Sequence, residues 1–357
     1  MVYITLPEAR QRRLVFYLSM EEYIADHIDD ITPDSDGHRE AFFIWQVDPT
    51  VIFGRNQVFE AEVNIDYCRE HGIQLYRRKS GGGCVYSDRG NIMLSFISDN
   101  TDVASCFEQY LDKLTGCLYA CGVNAERSGR NDVLVDGLKV SGNAFFHRTG
   151  ASIVHGTLLF NSDFEEMERA ISPSKMKLAS KGVSSVRQRV MNLRDALSRS
   201  KEACAAGLED IETFKRQLVG NICRGGAEMT LSPEQTAQIE ELEKGYLDPD
   251  FLYGRHHAWA ESRRARIDGA GEIEMRIQMD GELISGCCVS GDFFTLKDGL
   301  NEYLSAVLKG RRMTDGDAGA ALEASSPEEY VTRLTGCALR ELFFGNEIKN
   351  SYLGNQL

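Results

Sequence analysis

The sequence predicts an α+β protein in two parts: a large domain of mixed β-sheets flanked by helices, then a small α+β domain at the C-terminal end. Three observations predict it. Strand-like runs and helical periodicities both occur, but they do not alternate as repeated β–α units. Asp136-Gly137 and Asp280-Gly281 are hairpin-turn signals that join strand-like runs directly. Around residues 245–255 helical segments give way to a strictly alternating strand, so we set the parts at 1–247 and 248–357.

The elements follow in chain order. Leu14 to Ile31 spaces its apolar residues as a helix, halted at Thr32-Pro33-Asp34-Ser35-Asp36-Gly37. Ala41 to Trp45 and Val51 to Gly54 read as strands around Asp48-Pro49, and Glu60 to Glu70 as a helix stopped by His71-Gly72. Ile73 to Tyr76 is a short strand. Cys84 to Tyr86 and Asn91 to Ile97 are expected to pair as a hairpin through Ser87-Asp88-Arg89-Gly90. Asp102 to Gly122 is amphipathic, with Val103, Cys106, Tyr110, Leu114, Cys117 and Cys121 along one stripe. Asp132 to Val135 and Leu138 to Val140 flank Asp136-Gly137, and Ile153 to Phe160 is a further strand. Helical patterns fill Asn192 to Glu243, where Ser232-Pro233-Glu234-Gln235 reads as a capping box. Glu272 to Met279 alternates without a fault and turns at Asp280-Gly281 into Glu282 to Val289. Helices follow from Leu296 and over Glu328 to Leu342, with a loop over Met313 to Ser326 between them.

Composition narrows the function classes. The formal charge of −14 argues against nucleic-acid binding, which needs a basic footprint, but leaves room for a small anion that senses local charge. No apolar run reaches membrane-spanning length, and Met1 to Gln11 lacks the apolar core of a signal peptide, so a cytoplasmic protein is expected. Ten cysteines without C-x-x-C or zinc-like spacing read as reduced thiols.

The most telling stretch is Arg77-Arg78-Lys79-Ser80-Gly81-Gly82-Gly83, leading into Cys84-Val85-Tyr86 and Asp88-Arg89-Gly90-Asn91. Successive glycines let backbone approach a ligand closely and free N–H groups to face an anion, while basic side chains add charge-assisted bonds. Alone, a glycine triplet is usually a turn and a basic triplet a solvated face. A second cluster is Gly129-Arg130-Asn131-Asp132, then Gly137-Leu138-Lys139-Val140-Ser141-Gly142-Asn143-Ala144. Lys139 stands just past a tight turn, a point charge suited to a phosphate or carboxylate oxygen, or else a plain surface lysine. His155-Gly156-Thr157-Leu158-Leu159 and Lys181-Gly182-Val183-Ser184-Ser185-Val186 complete the set.

In this order and spacing the clusters resemble the lipoate–protein ligase family, part of the biotin/lipoate ligase superfamily. Its pattern is R-R-x-S-G-G-G-x-V with D-x-G-N, then G-R-N-D, G-x-K-[IV]-S-G-x-A, H-G-T-L-L and K-G-[IV]-x-S-V. Asp48-Pro49-Thr50, Gly54-Arg55-Asn56-Gln57 and Gly291-Asp292-Phe293-Phe294 fit it as well. The chain departs from the pattern at Ser87 (usually histidine), at Leu138 (usually basic) and at Cys84 (usually a small residue). Cys84 reads as a packing residue or, beside three basic groups, as a reactive thiol.

The resemblance implies an ATP-dependent ligase that turns lipoate or octanoate into its acyl-AMP and transfers the acyl group to a lysine of an apo-lipoyl domain. It implies ATP and Mg²⁺, lipoic acid as substrate, and acceptors among 2-oxoacid dehydrogenase E2 subunits or a glycine-cleavage H protein. It also implies a monomer that binds neither nucleic acid nor membrane. By the same resemblance, Arg77, Ser80, Gly81, Gly82, Gly83, Asn91, His155 and Gly156 hold the lipoyl group and its carboxylate, and Lys139 is catalytic. Tyr86, Asn131, Asp132, Lys139 and Lys181 to Val186 (Lys181, Gly182, Val183, Ser184, Ser185, Val186) surround the nucleotide. The rival readings are a carrier-protein acyltransferase and a transferase that only uses ready-made lipoyl-AMP. The former works through a cysteine in related enzymes, yet no cysteine lies between Cys121 and Cys204.

Overall fold

The computed structural model describes residues 1–32, 37–58, 62–129, 131–171, 189–253 and 261–345. They form two compact units, one from 1–55 and the described part of 59–254, the other from 56–58 and the described part of 255–357.

The larger unit holds the strands β1 (Val2–Thr5), β2 (Glu40–Trp45), β3 (Thr50–Phe53), β4 (Gln74–Arg77), β5 (Val85–Ser87), β6 (Asn91–Ser98), β7 (Ala125–Ser128), β8 (Asp132–Val135), β9 (Leu138–Arg148), β10 (Ala151–Leu159) and β11 (Glu228–Thr230). Eight of them make one mixed sheet in the order β11-β1-β2-β6-β10-β9-β8-β7, and β4-β3-β5 make a smaller one. The helix α1 (Leu14–Asp26) packs on one face of the large sheet with Met93, Ile97 and Ile153. The helix Val103–Ala120 packs on the other with Leu94, Phe96, Val154 and Leu158. Because side chains alternate faces along a strand, two covered faces leave β6 and β10 buried at every position.

The expected hairpin through Ser87 to Gly90 does not form. Val85–Ser87 and Asn91–Ser98 do not pair with each other: β5 joins β3, whereas β6 lies between β2 and β10. The turn between them carries the chain from one sheet to the other. Asp88 shapes it, accepting from Gly90 N at 2.9 Å and Asp163 N at 2.8 Å, and burial pushes its carboxyl pKa up. The Asp136-Gly137 hairpin forms as expected, with positive φ at both residues (53° and 76°) and Val135 opposite Leu138. The first helix stops at Asp26 and resumes only as Ile28–Ile31. The capping box at Ser232 and Gln235 is present. Strands β1, β7 and β11 are additions, each too short to show an alternation.

The smaller unit contains β12 (Glu261–Ile267), β13 (Gly271–Asp280) and β14 (Leu283–Phe293) as an antiparallel sheet. Ile273, Met275 and Ile277 share its core with Leu304 and Leu308 of the helix Leu300–Leu308, and with Leu339 and Leu342 of the helix Gly336–Phe344. The helix expected from Glu328 begins only at Gly336: Arg333 takes a positive φ of 59°, and Thr335 caps Ala338 N. The loop expected over 313–326 contains a helical turn, Ala320–Glu323. No helix among the described residues is long and apolar enough to cross a membrane.

Candidate active site

The basic-glycine loop leaves β4 and folds around its own arginines. The Arg77 Nε donates to Leu252 O at 3.0 Å and its Nη1 to Gly54 O and Arg55 O at 3.1 and 2.9 Å, with the guanidinium 4.6 Å over the Phe53 ring. Arg78 is equally buried. Its Nη2 donates to Gly81 O at 2.7 Å and Gly83 O at 2.8 Å, its Nη1 to Ile52 O at 3.2 Å, and its Nε to Ser80 Oγ at 3.0 Å. The glycine carbonyls are therefore turned toward a fixed cation. Gly82 has a φ of 92°, and a Cβ on Gly54 would run into the Gly82 carbonyl oxygen, so the loop needs glycine at both places. Lys79 reaches the buried Glu22 at 2.7 Å, and Arg148 and Tyr246 also bond that carboxylate. All three basic side chains are thus engaged inside the protein.

Ser80 ends a buried chain of polar groups. Its Oγ lies 2.7 Å from His155 Nε2, and His155 Nδ1 lies 2.9 Å from Glu21 Oε2. The other oxygen of Glu21 accepts from Ser95 Oγ at 2.5 Å, and Ser95 Oγ accepts from Trp45 Nε1 at 2.9 Å. Sheet register explains the assembly: His155 of β10 stands between Ser95 of β6 and Ala144 of β9, and all three face α1.

A parallel row, two residues along β10, carries the charged end. Thr157 stands opposite Gly142, and Gly142 stands opposite Asp132. Lys139 lies over Gly142, where a Cβ would meet its Nζ, and reaches Asp132 Oδ1 at 2.8 Å. Arg189 holds the other Asp132 oxygen. Thr157 Oγ1 accepts from Gly142 N and donates to Gly142 O, both at 3.2 Å. Asn131 and Asn143 pin β9 to the preceding loop: Asn131 Nδ2 donates to Asn143 O at 2.8 Å and Asn143 Nδ2 to Asn131 O at 3.0 Å. The Ser80–His155 and Lys139–Asp132 pairs therefore lie on the same face of the sheet: Thr157 is one pleat along β10 from His155, and Gly142 and Asp132 follow it across β9 and β8.

Of the other anticipated residues, Gly156 pairs between Leu94 and Asn143, and a side chain there would strike Asn143 Oδ1. Asn91 is fully buried, donates to Ser87 Oγ at 3.1 Å, and leaves its Oδ1 unpartnered. Tyr86 is committed to a core cluster with Val51, Phe53, Cys68 and Met167, and burial drives its phenol pKa upward. Lys181 to Val186 lie outside the described residues.

Sequence reasoning missed Glu21, Ser95 and Arg189. Glu21 had a signal: Glu21-Glu22 are carboxylates inside a helix that buries its residues from Leu14 to Ala25. Ser95 had none, since a serine in a strand announces no partner. The described residues hold no group of three metal-binding side chains. Asp132, beside Lys139, is already held by two cations, so this donor set forms no Mg²⁺ site of its own.

Comparison with known proteins bears directly on this geometry. The lipoyl protein ligase A/B catalytic domain profile matches residues 14–219, and that of the bacterial lipoate protein ligase C-terminus matches residues 258–343. The lipoate-protein ligase LplJ of Bacillus subtilis (strain 168) is 33% identical over 324 residues, covering 89% of this chain and 93% of its own. Among solved structures, P. falciparum LipL1 in complex with lipoate aligns with a TM-score of 0.68 at 20% identity, over 93% of this chain and 95% of its own. A lipoate-protein ligase A bound with ATP aligns with a TM-score of 0.57 at 24% identity, over 71% and 98% of the two chains. These two likenesses speak for the fold. With both profiles matched in order and a one-third-identical relative spanning nearly its whole length, the chain is a ligase of the lipoate–protein ligase family.

Proposed function

We propose that the pleated floor made by β8, β9 and β10 carries both half-reactions of lipoate ligation: formation of lipoyl-AMP from lipoate and ATP, then transfer of the acyl group to a lysine of an apo-lipoyl domain. The observation that carries this reading is Lys139, an ammonium laid over Gly142 and tethered by Asp132, on the sheet face that also carries His155 and its partner Ser80. In the first step the lipoate carboxylate attacks the α-phosphorus of ATP and pyrophosphate leaves. Two anions must be brought together, so the site needs fixed positive charge more than a nucleophile. Lys139 supplies it, moving from Asp132 onto the carboxylate and α-phosphate oxygens as they arrive.

Around that lysine we assign Ser80 to Gly83, Asn91 and His155 to the acyl group, and Asn131, Asp132 and the 181–186 segment to the nucleotide. Arg77 and Tyr86 change role in this reading. Arg77 frames the loop because its donors already serve backbone carbonyls, and Tyr86 packs the smaller sheet. Mg²⁺ would enter on the nucleotide phosphates, neutralising them, and no step here depends on it. Ten free thiols suit a cytoplasmic setting. The acceptors are lipoyl domains of E2 subunits or an H protein.

The test gives purified protein, apo-lipoyl domain and Mg-ATP either lipoic or octanoic acid, with octanoyl-carrier protein as an alternative donor. Mass spectrometry should find the acceptor acylated from the free acid and only with ATP. Acylation from the carrier protein alone would overturn the proposal.

A further inference from the structure

We propose that Ser80, backed by His155 and Glu21, takes up the proton that the acceptor amine sheds during acyl transfer. The proposal rests on the reading that Ser80 lines the carboxyl end of the acyl site. It concerns the second half-reaction, in which Lys139 supplies charge but no proton acceptor.

The directions of the hydrogen bonds carry the argument. An arginine Nε can only donate, so Ser80 Oγ accepts from Arg78. Trp45 Nε1 likewise donates to Ser95, which leaves the Ser95 hydroxyl proton for Glu21 Oε1. Glu21 accepts at Oε1, and in the proposed relay we assign the ring proton of His155 to Nδ1, which faces Glu21 Oε2 at 2.9 Å. A neutral imidazole protonated at Nδ1 is an acceptor at Nε2. In that tautomer the Ser80 hydroxyl donates to His155 across the 2.7 Å contact. With one lone pair on Arg78 and its proton on His155, Ser80 presents one remaining lone pair. Such a hydroxyl accepts a proton; it has none to offer a carboxylate.

The amine is the proton donor of this reaction. A lysine amine attacks the acyl carbonyl of lipoyl-AMP, the N–C bond forms, and the C–O bond to the phosphate breaks with its electron pair leaving on AMP. The nitrogen must then lose one proton. It passes to Ser80 Oγ while the hydroxyl's own proton moves to His155 Nε2, and the imidazolium formed lies against the Glu21 carboxylate. The proton later returns to solvent, so the step yields amide, AMP and one proton. This is the geometry of an oriented base acting through a hydroxyl, used here without a covalent intermediate on serine.

Ser80, His155 and Glu21 are 2%, 8% and 3% exposed, so solvent does not short-circuit the chain. The charged groups packed around it are Glu21 from α1 and Arg78 from the loop. The adjacent Glu22 of α1 is occupied by Lys79 and Arg148. Across the sheet, His155 pairs with Ser95 of β6 and Ala144 of β9, neither of which is titratable. The phenols of Tyr110 and Tyr246 are pushed upward by burial, with the Glu21 charge adding to both, so neither competes as a proton acceptor.

The test separates the half-reactions in Glu21→Gln, His155→Gln and Glu21→Asp. Transfer is followed in single turnover from preformed lipoyl-AMP to an apo-lipoyl domain, and activation by lipoate-dependent ATP–pyrophosphate exchange. Loss of an oriented base costs about 10²-fold. Transfer by Glu21→Gln and His155→Gln should fall by roughly that factor, and exchange by Glu21→Gln by much less. Glu21→Asp should regain part of the transfer rate lost in Glu21→Gln. Equal losses in both half-reactions would mark a structural role and overturn the proposal, as would undiminished transfer. If Glu21→Gln does not fold, Glu21→Asp decides by its own ratio of transfer to exchange. A wild type inactive in both assays would instead sink the ligase reading.

Discussion

Two clusters of positive charge lie near the floor of the large sheet, and they are built in opposite ways. At the basic-glycine loop, Arg77 and Arg78 donate to backbone carbonyls, and Lys79 is fixed on the buried Glu22. At the other cluster, Lys139 and Arg189 meet on one carboxylate, Asp132, and Lys139 lies over a bare glycine floor. The first arrangement is closed: moving a guanidinium would strand several buried carbonyls, each costly to leave unpaired. The second is open to exchange, because an arriving phosphate can replace Asp132 as the partner of Lys139. Near a glycine loop, positive charge in a sequence does not by itself mean charge offered to a ligand. On the proposed function it serves mainly as scaffold, and the reagent is the lysine in the second cluster.

Substitutions should break this contrast in order of size. Lys139→Ala should lower lipoate-dependent ATP–pyrophosphate exchange by about 10³-fold, the cost of a preorganised charge in such a site, with its thermal unfolding midpoint unchanged. Arg78→Ala should do the reverse of what charge removal at a ligand site does. It should destabilise the larger unit by about 3 kcal/mol, read as a lower urea midpoint, since Gly81 O, Gly83 O and Ser80 Oγ lose their donor. Gly142→Ala sharpens the comparison from the floor side: the new methyl displaces the flexible end of Lys139 rather than backbone, so folding holds while exchange falls roughly tenfold to a hundredfold. Cys84→Ser should leave exchange and transfer unchanged. Loss of transfer with adenylation intact would point to a thioester route through that thiol instead.

Much of this was readable from residue order. The Asp136-Gly137 turn, the capping box at Ser232 and the amphipathic helix Val103–Ala120 have local causes, and they formed where local chemistry placed them. The clusters around Ser80, Lys139 and His155 were found as motifs, and sheet register brings them onto one face. What escaped depends on distant pairing. A turn at Ser87 to Gly90 looks the same whether its strands pair with each other or enter different sheets, and only the partners β3, β2 and β10 decide. The direction of the Arg77 and Arg78 donors likewise depends on carbonyls at Ile52, Gly54 and Leu252. Glu21 and Arg189 sit outside the motifs and act only through partners more than fifty residues away in the chain.

The central claim is that the Lys139 ammonium leaves Asp132 for the adenylate, whereas the charges of the glycine loop stay where they are. Titration calorimetry with a non-hydrolysable lipoyl-AMP analogue tests it most directly, comparing the wild type with Lys139→Met. The account predicts that affinity for the analogue drops about a hundredfold, the loss of one charge-assisted contact in a water-poor site. Equal affinity in the two proteins would contradict it.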